Sequence, residues 1–162
     1  MSTHAPQHRP TDVPPDARVA VVAARFNALI VDTLLAGCME RLSELGLGET
    51  RVEVHRVPGA FELPLAAKVL AHTKRFSAII CLGAVVRGET PHFELVAGEC
   101  ARGLMQVSTS EALPVIFGVL TTNNEEQAWA RAGGAHGHAG RSSAEAALEM
   151  ITLVKLVKRG VV

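Results

Sequence analysis

The chain has 162 residues, a length that suits one domain with its own hydrophobic core. Apolar residues make up 48% of the sequence and charged residues 20%, which is typical of a soluble globular protein. The 16 basic residues balance the 16 acidic ones, so no net charge favours nucleic acid or an anionic membrane surface, and no apolar run is long enough to span a bilayer.

The first 17 residues are rich in proline and polar side chains and contain almost no large apolar ones. Such a segment cannot bury enough surface to fold alone, so we expect residues 1–17 to form a flexible tail or an arm on a neighbouring chain. Residues 18–162 are predicted to form a single domain, because the sequence contains neither an internal repeat nor a sign of a second domain.

Four short apolar runs, rich in Val and Ile and bounded by Gly, Pro or charged residues, predict β-strands. They are Val19 to Ala23, Val52 to Val57, Ala78 to Leu82 and Val115 to Leu120. Helical patterns lie between them, and strands that alternate with helices favour a parallel sheet covered on both faces. We therefore predict an α/β domain with three αβα layers, in which a flavodoxin-like sheet of four parallel strands is flanked by helices.

Two of the helical patterns have a clear apolar face. The first face consists of Ile30, Leu34, Cys38, Leu42 and Leu45, and the second of Val96, Cys100, Gly103, Leu104 and Val107. Gly46 and Gly48 follow the first helix at positions that suit a C-cap. Two later helix starts are predicted from capping-box spacing, Thr122 with Glu125 and Ser142 with Glu145.

The last helix, predicted over residues 144–158, is apolar around most of its circumference. Its apolar residues are Leu148, Met150, Ile151, Leu153, Val154, Leu156 and Val157. A helix that packs only on its own sheet needs one apolar face, so the excess predicts a subunit interface. The alternative is a helix that its own domain covers unusually well.

The three cysteines, Cys38, Cys81 and Cys100, are an odd number and lie in apolar stretches. This pattern predicts buried free thiols in a reducing compartment rather than a disulfide or a metal site. The N-terminus lacks the basic and then apolar segments of a secretory signal. Both observations favour a cytoplasmic protein.

Ligands of open parallel sheets bind at the carboxyl ends of the strands, so the residues that follow each strand are the most informative. Residues 25–27 (RFN) follow the first strand, residues 58–62 (PGAFE) the second, and residues 83–92 (GAVVRGETPH) the third. These loops bring aromatic rings, carboxylates, glycines and a histidine to one edge. The sequence thus predicts a binding site there.

The third loop carries the strongest local signal. Thr90 suits the N-cap of the following helix and Pro91 its first position, and free N–H groups there, beside Gly88, can bind a phosphate or carboxylate. His92 lies in the first helical turn, and imidazole is the side chain that most readily exchanges protons near neutral pH. The alternative for His92 is an ordinary surface histidine. From the residues alone, the site is an anion-binding pocket with aromatic walls.

Other ligand motifs are absent from the sequence. It contains no GxxxxGK[ST] phosphate loop and no GxGxxG between a strand and a helix. His136 and His138 lie in a glycine-rich segment without nearby Cys or acidic ligands, so we expect them to be solvated rather than to bind a metal. No metal site is predicted.

The loop residues resemble the lumazine synthase family. The motifs that carry the resemblance are RFN (25–27), PGAFELP (58–64), LGAVVRGETPHFE (82–94), PVIFGVLTT (114–122) and ARAG (130–133). Their order and spacing cover nearly the whole chain from Arg18 onward. Any one motif is weak, but the set is highly specific.

The resemblance implies a reaction that needs neither a metal nor an organic cofactor. Enzymes of this family condense 5-amino-6-(D-ribitylamino)uracil with 3,4-dihydroxy-2-butanone 4-phosphate, and they release 6,7-dimethyl-8-ribityllumazine, phosphate and water. The family forms homopentamers, and many members assemble twelve pentamers into an icosahedral shell. The short segment 133–140 favours the shell, and the sequence leaves open whether riboflavin synthase is enclosed.

The resemblance also implies roles for individual residues. Phe26 would stack on the pyrimidine, while Ala60, Phe61 and Glu62 would hold the pyrimidine and the ribityl chain. Ala84, Val85 and Val86 would offer backbone groups to the uracil edge. Glu89 and Thr90 would hold the phosphate, and His92 would transfer protons. Phe117 and Arg131 match positions that the adjacent subunit supplies, where Arg131 would bind the phosphate.

One position departs from the family pattern. Many members carry a phosphate-binding lysine where this chain has Ala139, and His138 or Arg141 are the candidate substitutes. Two alternatives to the enzyme therefore stay open at this point. One is a flavin- or lumazine-binding paralogue with weak or no catalysis, and the other is a flavodoxin-like electron carrier.

Overall fold

A computed structural model describes residues 13–160, and its centre is a sheet of four parallel strands in the order β2–β1–β3–β4. The strands are β1 (Val19–Ala24), β2 (Val52–Val57), β3 (Ala78–Val86) and β4 (Val115–Thr122). The predicted parallel sheet is confirmed. β3 and β4 extend beyond their predicted ends because their mutual pairing continues as far as Val86 and Thr122.

Five helices cover the sheet: α1 (Ala28–Glu44), α2 (Leu63–His72), α3 (His92–Glu111), α4 (Glu125–Arg131) and α5 (Ala139–Lys158). Val19, Val21 and Ala23 of β1 pack on one face against α1, α4 and α5, whereas Ala20 and Val22 pack on the other face against α2 and α3. β1 is uniformly apolar because both of its faces are buried. The three-layer αβα fold is confirmed.

The predicted apolar faces of α1 and α3 lie in the core. Their buried members are Ile30, Leu34, Cys38, Leu42, Cys100, Leu104 and Val107. Gly46 ends α1 with φ of +89°, and the N–H of Leu47 donates to the carbonyl of Leu42 at 2.9 Å. The predicted glycine cap is thus confirmed at Gly46, where the left-handed backbone favours a residue without Cβ.

The predicted start of α5 was wrong by five residues. α5 begins at Ala139, so Ser142 lies inside the helix and does not cap it. The reason is a close contact with α1: a Cβ atom on Gly140 would lie 2.0 Å from the carbonyl oxygen of Leu34. Only glycine allows this approach, and a contact between such distant parts of the chain is not visible in capping patterns.

The predicted caps of α3 and α4 were also wrong. Thr122 ends β4, and α4 is capped instead by Asn124, whose Oδ1 accepts a hydrogen bond from the N–H of Gln127 at 2.9 Å. Pro91, not Thr90, immediately precedes α3, and no side chain caps that helix. His92 is the first helical residue, as its predicted place in the first turn requires.

The packed part of the chain begins before Arg18. Ala17 is buried and Val13 packs against the core. Arg51 donates from one guanidinium nitrogen to the carbonyls of Pro14 and Pro15, at 3.2 and 3.3 Å. Residues 13–17 of the predicted tail therefore lie on the domain, and its residues 1–12 lie outside the described residues.

All three cysteines are free and buried, as predicted. Burial raises the pKa of the Cys38 thiol to about 12 and that of Cys100 to about 11, and it raises the pKa of Cys81 further. Thiols with such high pKa values stay protonated at neutral pH and are poor nucleophiles. The cysteines are therefore part of the core rather than of a reactive site.

An ion cluster joins the end of α3 to the end of α2. Glu111 accepts hydrogen bonds from the amines of Lys68 and Lys74, at 2.6 and 2.9 Å, and lies 3.2 Å from Nε2 of His72. The two lysines lower the pKa of the Glu111 carboxyl from 4.5 to about 2. A carboxyl whose pKa is lowered by folding stabilises the native state above its unfolded pKa, and this contribution is lost as the pH falls through the folded pKa.

We expect Glu111→Gln to lower the free energy of unfolding at pH 7 and to flatten its decline between pH 4.5 and about 2. Urea unfolding followed by circular dichroism at several pH values measures both effects. Glu99→Gln is the matched control, because Glu99 has a single, longer contact of 3.5 Å with Arg102 on the exposed side of α3. An unchanged pH dependence in Glu111→Gln would show that the cluster does not stabilise the fold.

Candidate active site

The loops at the carboxyl ends of β1, β2 and β3 are joined by hydrogen bonds. The N–H groups of Arg25 and Phe26 donate to the carbonyls of Val57 and Pro58, at 2.8 and 3.0 Å. Asn27 has a left-handed backbone (φ 56°), and its Nδ2 donates to the carbonyl of Ala84 at 2.8 Å. The predicted loops therefore meet at one edge of the sheet.

β3 offers a free backbone segment at this edge. Its last partner on β1 is Leu82, but it continues to Val86 in contact with β4 alone. Backbone N–H and C=O groups alternate sides along a strand. Because the carbonyl of Ala84 faces Asn27 and the N–H of Arg87 donates to Thr122 on β4, the polar groups of Val86 face away from β4. A flat ligand with donors and acceptors on its rim can bind such an edge.

Two aromatic rings lie exposed at the same edge. Phe26 is 71% exposed and Phe61 is 59% exposed, although phenyl rings are usually buried. Ala60 is buried, and Glu62 is half-buried with Oε2 accepting a hydrogen bond from the N–H of Gly59 at 2.9 Å. This bond fixes the Glu62 carboxylate and leaves its remaining lone pairs able to accept further hydrogen bonds. Exposed rings beside a fixed carboxylate are typical of a ligand site.

The loop before α3 completes this part of the site. Glu89, Thr90 and His92 are all exposed, and Gly88 has open space around it. No side chain caps α3, and although the N–H of Glu94 donates to the carbonyl of Pro91 at 3.2 Å, the N–H groups of His92 and Phe93 remain open to an anion. All the predicted site residues except two therefore lie at the carboxyl ends of β1, β2 and β3. We call this group the first half-site.

Phe117 and Arg131 lie elsewhere. Phe117 pairs with Cys81, five positions before Val86, so it is roughly 16 Å away along the strand direction. It is 43% exposed at the free edge of β4. Arg131 ends α4 and lines a cleft of about 250 Å³ with Phe117 and Ala139. Phe117 and Arg131 form the second half-site.

Arg131 has no hydrogen bond or ion pair to any residue in the described range 13–160. It also lines a polar cleft of about 450 Å³ with Asn124, Gln127 and His136. A tight hairpin follows it, formed by β5 (Ala132–Gly134) and β6 (Gly137–His138). The hairpin is held by a 2.8 Å hydrogen bond from the N–H of His136 to the carbonyl of Ala130. An unpaired guanidinium in an open cleft is suited to binding an anion.

The expectation that His138 is solvated was wrong. Its ring packs so closely on α1 that a Cβ atom at Gly37 would lie 2.2 Å from it, and its Nδ1 is buried without a hydrogen-bond partner. Burial lowers the pKa of His138, and the nearby Arg141 lowers it further. Within the described part of the chain, no three His, Cys, Asp or Glu side chains are grouped to hold a metal ion.

The candidate substitutes for the family lysine are both held within the chain. Arg141 donates to the carboxylates of Glu40 and Glu44 on α1, at 2.7 and 2.6 Å. His138 is held against α1 as described above. The cleft beside Ala139 thus contains one cation among the described residues, Arg131.

A parallel α/β sheet with exposed rings, a fixed carboxylate and a histidine at its carboxyl edge defines an α/β enzyme that acts on small molecules. The chain belongs to the 6,7-dimethyl-8-ribityllumazine synthase family, whose model matches residues 16–155. It is a transferase of riboflavin biosynthesis, which confirms the resemblance inferred from the loop motifs.

Three relatives illustrate the similarity, each named 6,7-dimethyl-8-ribityllumazine synthase. The protein of Xanthomonas oryzae pv. oryzae (strain PXO99A) is 49% identical over 89% of this chain and 94% of its own length. Those of Sodalis glossinidius and Yersinia pestis (strain Pestoides F) are 50% identical over 89% of this chain and 93% of theirs. The comparisons give no support to a paralogue without catalysis. Within residues 13–160, no helix has the length and apolarity to cross a membrane.

Proposed function

We propose that neighbouring subunits of this chain together condense 5-amino-6-(D-ribitylamino)uracil with 3,4-dihydroxy-2-butanone 4-phosphate to give 6,7-dimethyl-8-ribityllumazine, phosphate and water. Membership of the family supports the reaction. The observation that carries the arrangement is the division of the predicted residues into two half-sites at different places on one chain.

The first half-site suits the pyrimidine substrate. Phe26 provides a flat apolar surface for the ring, and the segment Ala84 to Val86 offers backbone groups that strand β1 does not pair, chiefly those of Val86, to the donors and acceptors of a uracil edge. Ala60 and Phe61 line the space beside it, where Glu62 accepts hydrogen bonds from the ribityl hydroxyls. A ring held flat in this way presents its amine to the second substrate in a fixed orientation.

The start of α3 suits the phosphorylated substrate. The open N–H groups of His92 and Phe93, with the backbone N–H groups of Glu89 and Thr90 in the preceding loop, hold the phosphate close to His92. The amine of the pyrimidine attacks the ketone and water leaves as the imine forms, and the imine then loses a proton from carbon as phosphate leaves. His92 takes and returns protons during imine formation, phosphate elimination and ring closure.

The second half-site of one subunit completes the reaction centre of its neighbour. Phe117 closes the pocket over the rings, and the unpaired guanidinium of Arg131 forms two parallel hydrogen bonds with the phosphate. The separation of roughly 16 Å along the sheet supports this assignment, because Phe117 cannot reach the carboxyl edge of its own chain. A monomer is then inactive.

We propose a homopentamer, and a shell of pentamers, as the assembly. Apolar side chains left exposed on α5 support association, namely Met150, Leu153, Leu156 and Val157. The short hairpin between α4 and α5 favours the shell. Light scattering or electron micrographs of the purified protein measure the particle size, and co-purification tests whether riboflavin synthase is enclosed. The buried free thiols support a cytoplasmic location.

The decisive experiment is a steady-state assay with both substrates, in which the appearance of 6,7-dimethyl-8-ribityllumazine is followed by its absorbance. The proposal predicts turnover without added metal or cofactor. Binding of the pyrimidine without product formation would refute it and would favour the binding paralogue. Tight flavin mononucleotide in the purified protein, without condensation, would favour the electron carrier.

We expect Ala139→Lys to lower the KM for the phosphorylated substrate by about fivefold, the effect of about 1 kcal/mol from one added charge in an open cleft. The reason is that position 139 lines the same cleft as Arg131. The KM for the pyrimidine is expected to stay the same. Gln106→Lys is the control, because it adds the same charge on the exposed side of α3, outside this cleft, and is expected to leave the KM unchanged. An unchanged KM for the phosphorylated substrate in Ala139→Lys would mean that the site already compensates for the missing lysine.

A further inference from the structure

Arg87, the first residue after β3, contacts two different elements through its side chain. Its Nε donates to Oδ1 of Asn123 at 3.0 Å, and NH1 pairs with the carboxylate of Glu94. Its guanidinium carbon lies 4.2 Å from the centre of the Phe93 ring. The backbone N–H of Arg87 donates to the carbonyl of Thr122 at 2.8 Å. One side chain thus contacts both α3 and the loop that follows β4.

These partners enclose the segment that carries the reacting groups. Phe93 and Glu94 are the second and third residues of α3, so they follow His92 directly. Arg87 lies at the other end of the exposed segment 88–91. The guanidinium therefore closes the loop by joining its first residue to the turn that follows it. Within the described residues, no side chain of segment 88–91 forms a hydrogen bond or an ion pair.

The contacts of Arg87 need the shape of a guanidinium. It is planar, so it stacks on the Phe93 ring while its edge donates to two acceptors in different elements. The Glu94 carboxyl responds to this contact, because the hydrogen bond from Arg87 lowers its pKa. A lysine ammonium can replace the charge, but it cannot stack and bond to both Asn123 and Glu94 in the same geometry.

We propose that Arg87 is a positioning residue for the condensation and acts through His92. By holding the first turn of α3 against β4, it fixes the imidazole at the distance that proton transfer requires. A displacement of about 1 Å at a reacting group can slow an enzyme by about 100-fold, so a tether of this kind affects turnover directly. The inference rests on the proposed role of His92.

A double-mutant cycle tests the inference, with kcat and both KM values measured for Arg87→Ala, His92→Ala and the double variant. We expect Arg87→Ala to lower kcat by about tenfold in the wild-type background and to have no further effect in the His92→Ala background. The KM for the pyrimidine is expected to stay the same, because Phe26 and Phe61 lie on other loops. Arg87→Lys is expected to recover less than half of the lost turnover. Arg102→Ala, on the exposed side of α3, is the control.

The outcomes separate the inference from the proposed function. If Arg87→Ala lowers kcat equally in both backgrounds, Arg87 acts independently of His92 and the inference is wrong. If His92→Ala leaves kcat unchanged, the proposed role of His92 fails instead, and the inference fails with it. Should Arg87→Ala not fold, Glu94→Gln takes its place in the cycle, because it removes only the ion pair; additive losses in that cycle overturn the inference in the same way.

Discussion

Replacement of His92 by alanine is expected to lower kcat by about 100- to 10,000-fold, the usual contribution of a general acid–base group. The KM for the pyrimidine is expected to change little, because in the proposed site the ring contacts Phe26 and the β3 backbone rather than the imidazole. Steady-state kinetics with each substrate varied in turn gives both values. A second measurement adds free imidazole to His92→Ala, which we expect to restore part of the turnover by supplying the missing proton acceptor.

The matched control for this variant is His72→Ala. His72 is also an exposed histidine, but it lies at the end of α2 beside Glu111, away from the loops of the first half-site. Its removal is expected to leave kcat unchanged. If His92→Ala retained full turnover, the imidazole would have no part in proton transfer. If added imidazole had no effect on a slow variant, His92 would act by packing or by binding.

Loss of the second half-site is expected to weaken the binding of the phosphorylated substrate. Arg131→Ala should raise the KM for that substrate by about 10- to 100-fold, because charged hydrogen bonds contribute about 1.5–3 kcal/mol. The KM for the pyrimidine should stay close to the wild-type value. Arg141→Ala is the control, because Arg141 is bound to Glu40 and Glu44 on its own α1. An unchanged KM in Arg131→Ala would exclude the phosphate contact.

Arg131→Ala, co-expressed with His92→Ala, shows whether the site is shared between subunits. His92→Ala damages the first half-site and Arg131→Ala the second, so a mixed assembly contains interfaces in which both contributing halves are intact. With random mixing in equal amounts, about one quarter of the sites combine two intact halves. With the phosphorylated substrate kept well below its wild-type KM, we expect the co-expressed variants to regain about that fraction of the wild-type rate. Activity no higher than the mean of the two separate variants would place the whole site within one chain.

Much of the fold follows from local patterns. The four strands were predicted at nearly the right places because buried parallel strands are short, continuous apolar runs, as in β1. The helix faces were predicted because their apolar residues recur with helical spacing. The loops of the first half-site were predicted as well, since parallel strands bring all their carboxyl ends to one edge, and the loops that contain Phe26, Glu62 and His92 follow three neighbouring strands.

Two of the failures, at the start of α5 and at His138, share one physical cause, which is contact between residues far apart in the chain. The start of α5 depends on Gly140 packing against Leu34, and the burial of His138 depends on Gly37 of the same helix α1. The residues that flank Gly140 and His138 contain no sequence pattern that indicates either contact. The contact between Arg87 and Asn123 is not predictable from local patterns for the same reason, since the two residues are 36 positions apart.

The sequence by itself thus predicted the three αβα layers, the edge of the sheet at which the candidate site lies, and the family. These features depend on periodicity and on motifs that are local. The resemblance assigned Phe117 and Arg131 to the adjacent subunit, but only the tertiary structure gave their distance from the other predicted site residues, since this depends on strand register and on where α4 ends. It also decided that Arg141 is bound to α1 while Arg131 is not. Ion pairs of this kind form only after helices pack, so no local pattern specifies them.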